Sequence, residues 1–131
     1  MYSTRNNIIV VTRGDSLEFK PDPITLGDYT QYELQGDDTI YFGLMDPGQY
    51  FENALVRKVF TSDDFTSIED FVLELDPEDT LDLLPGKYFY ALKLQLDHTE
   101  LKPSQDGYSY ENIEVNKVIT LINKTKFIIN D

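Results

Sequence analysis

The segment GKYFYALKLQLD, from Gly86 to Asp97, constrains the fold of this chain more than any other segment. Side chains on a β-strand alternate between its two faces. Every second residue here is a tyrosine or leucine, while lysine, glutamine, Phe89 and Ala91 occupy the positions between them. The pattern predicts a strand whose Tyr88, Tyr90, Leu92, Leu94 and Leu96 face is buried against an opposing layer.

The rest of the chain repeats this short-strand pattern. Apolar residues occur in brief runs between turn-forming residues, without a long 3.6-residue period. Predicted strands lie near residues 7–12, 17–19, 39–45, 55–61, 71–75, 88–96 and 115–130, with residues 21–31 as a loop. A turn near Asn123-Lys124 is expected to divide the last segment in two. We therefore predict one all-β domain over residues 1–131, an immunoglobulin-like antiparallel β-sandwich of about seven or eight strands.

One short helical turn is expected just before the long strand. Asp76 is a suitable N-cap, and Pro77 suits the first helical position because no N–H is needed there. Pro85-Gly86 then ends the turn. The run LLPGKYFYALKL resembles the corner of fibronectin type III and other immunoglobulin-like sandwiches, which implies that Tyr88 bonds back to the preceding connection.

The charge balance excludes some partners. The chain has 24 acidic residues against 11 basic ones and a net charge of −13, so it should repel phosphate backbones and anionic membranes. It contains no cysteine. The apolar run near the start, IIVV, is too short for a signal-peptide core or a membrane span. We expect a soluble protein without an export signal that binds neither nucleic acid nor membrane.

Catalytic and metal-binding patterns are weak. His98 is the single histidine and is predicted to be a solvated loop residue. No Ser-x-Gly elbow, His-Glu-x-x-His motif or phosphate loop is present. Acidic clusters could ligate calcium, but none fits the twelve-residue calcium loop; they are Asp37-Asp38, Asp63-Asp64 and Asp76-Glu78-Asp79. We therefore predict that the chain is not an enzyme and binds no cofactor and no metal. The alternative is a calcium ion at an acidic loop.

Two short motifs have simple structural explanations. Arg13-Gly14-Asp15 is the tripeptide of integrin ligands, but three residues often match by chance, and the glycine favours a turn between strands. Asn123-Lys124-Thr125 is a formal glycosylation sequon, which we interpret as a hairpin turn.

Tyrosine-rich loops are the candidate contact sites. Tyr29 and Tyr32 lie in one predicted loop, and Tyr108 and Tyr110 lie beside Asp106 in another. Tyrosine offers a large contact area at low entropic cost and is enriched at interfaces. We predict that these five residues contact a partner.

A wider resemblance covers nearly the whole chain. It is carried by VTRGDSLEF, YELQGDDTIYFGLMD, LDPEDTLDLLPGKYFYALKL and VITLINKTKFIIND. In this order they resemble the N-terminal domain of baseplate upper proteins of tailed phages of Gram-positive bacteria, although Thr125 replaces a glycine usual in that family.

The resemblance implies a non-enzymatic structural protein of a phage or prophage baseplate or tail. Such a protein would be made in the bacterial host cytoplasm and located in the virion, with other tail or baseplate proteins as its partners. The chain is also a candidate to form a homo-oligomer. The alternative is an immunoglobulin-like binding module for a cell-surface glycan or another ligand.

Overall fold

The computed structural model describes residues 2–22 and 26–131. Within them the chain forms eight strands, one α-helix and three short 3-10 turns. The strands are β1 (Tyr2–Arg5), β2 (Ile8–Thr12), β3 (Leu17–Phe19), β4 (Thr39–Met45), β5 (Val56–Phe60), β6 (Leu73–Leu75), β7 (Gly86–Pro103) and β8 (Tyr110–Asn130). Helix α1 is Pro77–Leu81, and the 3-10 turns are Gly27–Tyr29, Phe51–Asn53 and Ile68–Asp70.

The strands form two sheets. The larger sheet has the order β1-β2-β8-β7-β4-β5, and the smaller one pairs β3 with β6. Neighbouring strands are antiparallel except β2 and β8, which run parallel from Ile9 opposite Phe127. The all-β, sandwich-like fold is confirmed, whereas the expectation of purely antiparallel pairing is wrong at that one pair. The predicted loop over residues 21–31 contains the first 3-10 turn, and its residues 23–25 lie outside the described part.

The core lies between the two sheets and is centred on Tyr90. All five side chains of the predicted apolar face are buried, from Tyr88 to Leu96. The Tyr90 ring contacts Phe42 and Phe127 of its own sheet, with centroids 5.8 and 6.1 Å away, and Phe19 of the small sheet at 6.3 Å. The central prediction from the sequence is therefore confirmed.

The corner before β7 also forms as expected. The Asp76 N–H donates to the Asp79 carboxylate at 2.7 Å at the start of α1. Lys58 of β5 reaches the same carboxylate at 2.8 Å, which ties the edge of the large sheet to the helix. The Tyr88 hydroxyl donates to the Leu84 carbonyl at 2.6 Å, so Pro85, Gly86 and Tyr88 form the predicted tyrosine corner.

The Arg13-Gly14-Asp15 segment forms a turn, as expected. Gly14 has a φ of +81°, and its N–H donates to Thr80 Oγ1 of α1 at 2.9 Å. The Asp15 N–H donates to the Thr12 carbonyl at 3.0 Å. The segment thus links β2 to β3 and packs on the helix.

The predicted turn at Asn123-Lys124 is wrong. Both residues lie inside β8, where Tyr90 pairs with Thr125 and Leu92 pairs with Ile122. Two residues of β8 therefore oppose Ala91 alone, which is the arrangement of a β-bulge. Pairing with β7 on both sides of these polar residues keeps the strand continuous. The total is still eight strands, because β1, which was not predicted, replaces the strand lost by this merger.

The tyrosine corner gives a prediction about stability. Tyr88→Phe leaves the Leu84 carbonyl without its hydroxyl donor, so we expect the free energy of unfolding to fall by about 1 kcal/mol. Urea denaturation measures this change. Tyr108→Phe is the matched control, because the Tyr108 side chain is 96% exposed and its hydroxyl should not affect folding. Equal stability of the two variants would contradict the prediction.

Candidate functional site

The first candidate site is a hairpin that extends beyond the sandwich. β4 pairs with β7 as far as Gln95, and β2 pairs with β8 only from Phe127 onward. In the described part of the chain, the strand segments from Thr99 to Glu114 pair only with each other. We call residues 99–114 the arm. At about 3.3 Å per strand residue, the arm reaches roughly 20 Å past the sandwich.

Large apolar side chains are exposed at the tip of the arm. Pro103 lies opposite Tyr110, and Leu101 follows on the same face. Leu101 and Tyr110 are each about two-thirds exposed, and Tyr108 in the connecting turn is almost fully exposed. A cluster of exposed apolar side chains on a projecting element is typical of an interaction surface.

Asp106 shapes the turn at this tip. Its carboxylate accepts hydrogen bonds from the Tyr108 N–H at 2.9 Å and the Ser104 hydroxyl at 2.7 Å. Both bonds lower the pKa of the Asp106 carboxyl, and the bond from the Tyr108 backbone has the larger effect. Because reversing the charge of Asp106 would also disturb the turn, Tyr108 and Tyr110 are the cleaner residues for testing a contact.

The other tyrosine pair lies elsewhere. Tyr29 and Tyr32 stack with ring centroids 6.0 Å apart and are half-buried against the core. The Tyr32 hydroxyl donates to the buried Asp38 carboxylate. The five predicted contact residues thus fall into two groups. Only Asp106, Tyr108 and Tyr110 are on the arm.

His98 is buried at the base of the arm, so the prediction of a solvated loop histidine is wrong. Its Nδ1 lies 2.8 Å from Asp38 Oδ1, and its Nε2 lies 3.0 Å from Glu100 Oε1. The polar residues after Asp97 continue β7 instead of forming a connection, and the Gly36 turn and the Tyr32 ring cover the His98 side chain. In the sequence, the alternation that places Leu94 and Leu96 on the buried face continues to His98. This spacing indicates that the histidine also faces inward.

Asp38 holds this junction together. Besides His98 and Tyr32, its carboxylate accepts the N–H groups of Gln35 at 2.9 Å and Asp97 at 2.7 Å. Burial alone would raise the pKa of Asp38, but these hydrogen bonds outweigh burial and lower it. The turn around Gly36 packs so closely on β7 that a Cβ there would lie 3.0 Å from His98 Cβ.

The contacts of this histidine favour its protonated form. Both ring nitrogens face carboxylate oxygens, so both can donate only when the imidazole is protonated. The hydrogen bond to Glu100 and then the one to Asp38 raise the pKa of His98. A general base needs a free ring nitrogen within reach of a substrate proton. Neither nitrogen of His98 is free in this arrangement.

The acidic clusters have structural partners. Asp38 serves the junction, Asp76 and Asp79 pair with Lys58, and Asp64 accepts the Thr61 N–H at 2.8 Å. Over residues 2–22 and 26–131, no group of three His, Cys, Asp or Glu side chains is placed to hold a metal ion.

A second candidate site is a groove on the outward face of the large sheet, of about 530 Å³. We did not predict this groove from the sequence, although apolar residues occupy outward positions on neighbouring strands. The Phe51 ring lies over Gly43, where a Cβ would come within 2.7 Å of it, and Lys93 Nζ lies 4.8 Å from the centre of that ring. The lining includes Tyr41, Phe51, Arg57, Val59, Lys93 and Val118.

Comparison of the chain with protein-family models, curated proteins and solved structures finds no match. Among the described residues, no helix has the length and apolar character needed to cross a membrane.

The His98 junction predicts a pH dependence. Because the folded-state pKa of His98 is raised above 6.5, its stabilising contribution is complete below about pH 6.5. That contribution is lost as the pH rises through the raised value. We expect the free energy of unfolding, measured with urea, to decline from pH 6.5 to pH 9.

The matched variant is His98→Gln, which can still donate one hydrogen bond but does not titrate. We expect its unfolding free energy to be lower at pH 6 and to change little between pH 6.5 and pH 9. The same pH slope in the variant and the native chain would show that His98 is not the titrating group.

Proposed function

We propose that this protein is a non-enzymatic structural component of a phage or prophage baseplate or tail, and that it joins other virion proteins through the arm. The observation that carries the proposal is the projecting arm with Leu101, Tyr108 and Tyr110 exposed at its tip. The sequence resemblance to baseplate upper proteins supplies the virion context.

The physical character of the arm supports a docking role. An isolated two-stranded hairpin is only marginally stable in water. Exposing large aromatic and apolar side chains on such an element is costly unless a partner covers them. Tyrosines on a projecting hairpin can anchor in a partner at low entropic cost. Repeated copies around a symmetric tail would make weak single contacts sufficient, because avidity multiplies them.

The buried polar network supports a role without chemistry. His98 and Asp38 bind each other and neighbouring groups, and their contacts fix the base of the arm. In the described residues, every buried side-chain nitrogen and oxygen has a hydrogen-bond partner. This arrangement favours a rigid scaffold over a catalytic site.

The test uses the bacterial strain that encodes the chain. Its gene is deleted and supplied on a plasmid, lytic growth is induced, and purified particles are analysed by quantitative mass spectrometry. We expect the native chain in tails at a fixed ratio to other tail proteins. The double variant Tyr108→Ala/Tyr110→Ala should be incorporated at least about tenfold less, because buried aromatic anchors dominate interface energies.

Tyr50→Ala is the matched control, since Tyr50 is also well exposed but lies on the sandwich. It should be incorporated like the native chain, and urea denaturation verifies that both variants fold. Absence of the native chain from particles, or normal incorporation of the arm variant, would overturn the proposal.

The groove favours one alternative function, a binding module for a cell-surface glycan or another ligand. Tyr41 and Phe51 offer aromatic surface there, and Arg57 and Lys93 offer positive charge. The chain has no tryptophan to stack on a sugar. Absence of the chain from particles, together with binding to purified cell walls that is lost in Arg57→Glu/Lys93→Glu, would favour this alternative.

A further inference from the structure

Positive charge is concentrated on the outward face of the large sheet. Strand pairing places Arg57 beside Gly43, Lys93 beside Tyr41 and Lys126 beside Phe89 on this face. Lys87 also faces outward, with its Nζ 5.7 Å from the centre of the Phe89 ring. At the paired outward positions of β4, β5 and the sandwich portions of β7 and β8, Asp97 is the one carboxylate among the described residues, and Glu52 of the neighbouring 3-10 turn also lines the groove. In a chain of net charge −13, this face is a local exception.

The arm has the opposite character. From Thr99 to Glu114 it contains four acidic residues against one basic one, together with Tyr108 and Tyr110. Its exposed aromatic tip could contact the Phe51 and Tyr41 rings of a groove, while its carboxylates faced cations such as Arg57 and Lys93. The chain therefore carries both halves of a complementary pair, in charge and in apolar surface.

The two halves of one molecule cannot meet. The arm continues β7 and β8 away from the groove, and Pro103 lies eight residues beyond the groove residue Gln95. At about 3.3 Å per residue, this separation is roughly 26 Å along an extended ribbon. Any occupant of the groove with the chemistry of the arm must come from another molecule.

We infer that the groove receives the arm of a second copy of this chain, in a head-to-tail contact. The inference rests on the proposed function of the arm as a docking element, and it names the partner. A head-to-tail contact uses different surfaces on the two copies, so it closes into a ring or extends into a filament. A ring of copies is the form that a symmetric tail requires.

The single contact is expected to be weak. Only the arm tip enters the groove, which is a small interface, and the net negative charge of both copies opposes their approach. A pair of variants isolates one contact. The arm variant, Tyr108→Ala/Tyr110→Ala, keeps its groove, and the groove variant, Arg57→Glu/Lys93→Glu, keeps its arm. Each alone cannot self-associate, but a mixture retains one intact contact and stops at a dimer.

The experiment labels the arm variant with ¹⁵N and titrates it with the unlabelled groove variant up to about 1 mM, so that a contact with a Kd near that concentration is detected. We expect saturable amide shifts at Phe51, Arg57 and Lys93. Reversing the label should move amides of the arm. When the unlabelled partner is the arm variant instead of the groove variant, the apparent affinity should be at least about tenfold weaker, because no intact arm is present.

Lys20→Glu, added to the arm variant, is the charge control, because it reverses one exposed cation away from the groove, after β3 on the small sheet, and so changes the net charge half as much as Arg57→Glu/Lys93→Glu does. It should preserve the shifts. Absence of shifts in the mixture, or shifts outside the groove, would overturn the inference. If purified copies stay monomeric while arm variants still fail to enter particles, this inference is wrong but the proposed function stands.

Discussion

The hydrogen-bonded ladder between β7 and β8 is the interaction on which the rest of the structure depends. It runs from Gly86 opposite Ile129 to Pro103 opposite Tyr110. Within the sandwich, β7 also pairs with β4 from Phe89 to Gln95, and β8 pairs with β2 from Phe127 to Asn130, so these two parts of the ladder each have a third strand beside them and the core beneath them. Beyond Thr99 the same ladder continues without neighbours and becomes the arm. One pair of strands therefore provides both the centre of the core and the projecting surface.

The junction between these two regions is polar, and Asp38 determines its geometry. A buried carboxylate is tolerated only when it is well hydrogen-bonded, and Asp38 accepts hydrogen bonds from Tyr32, Gln35, Asp97 and His98. The Nε2 atom of His98 in turn contacts the carboxylate of Glu100 at the start of the arm. This junction holds the arm at a defined direction, which a docking element needs if its tip is to meet a partner.

The parts of the structure that follow local rules could be predicted from the sequence. Alternation identified the buried face of Tyr88 to Leu96, and capping residues identified the helical turn after Asp76. The roles of Asp38 and His98 could not be predicted, because they depend on a contact between residues 60 positions apart. Asn123-Lys124 resembles a turn locally, but pairing with β7 on both sides overrides that preference. The groove needs four strands in register, which no single segment of sequence specifies.

The central claim is that the arm is ordered by the β7–β8 ladder alone and is anchored at the Asp38–His98 junction. Amide hydrogen exchange on the dilute protein tests this claim most directly, because protection reports local opening of each hydrogen bond. We expect the strongest protection at Tyr90 to Gln95, where β7 is paired with both β4 and β8, and a stepwise decline from His98 to Lys102. Exchange as fast as in an unstructured peptide throughout residues 97–116 would contradict it.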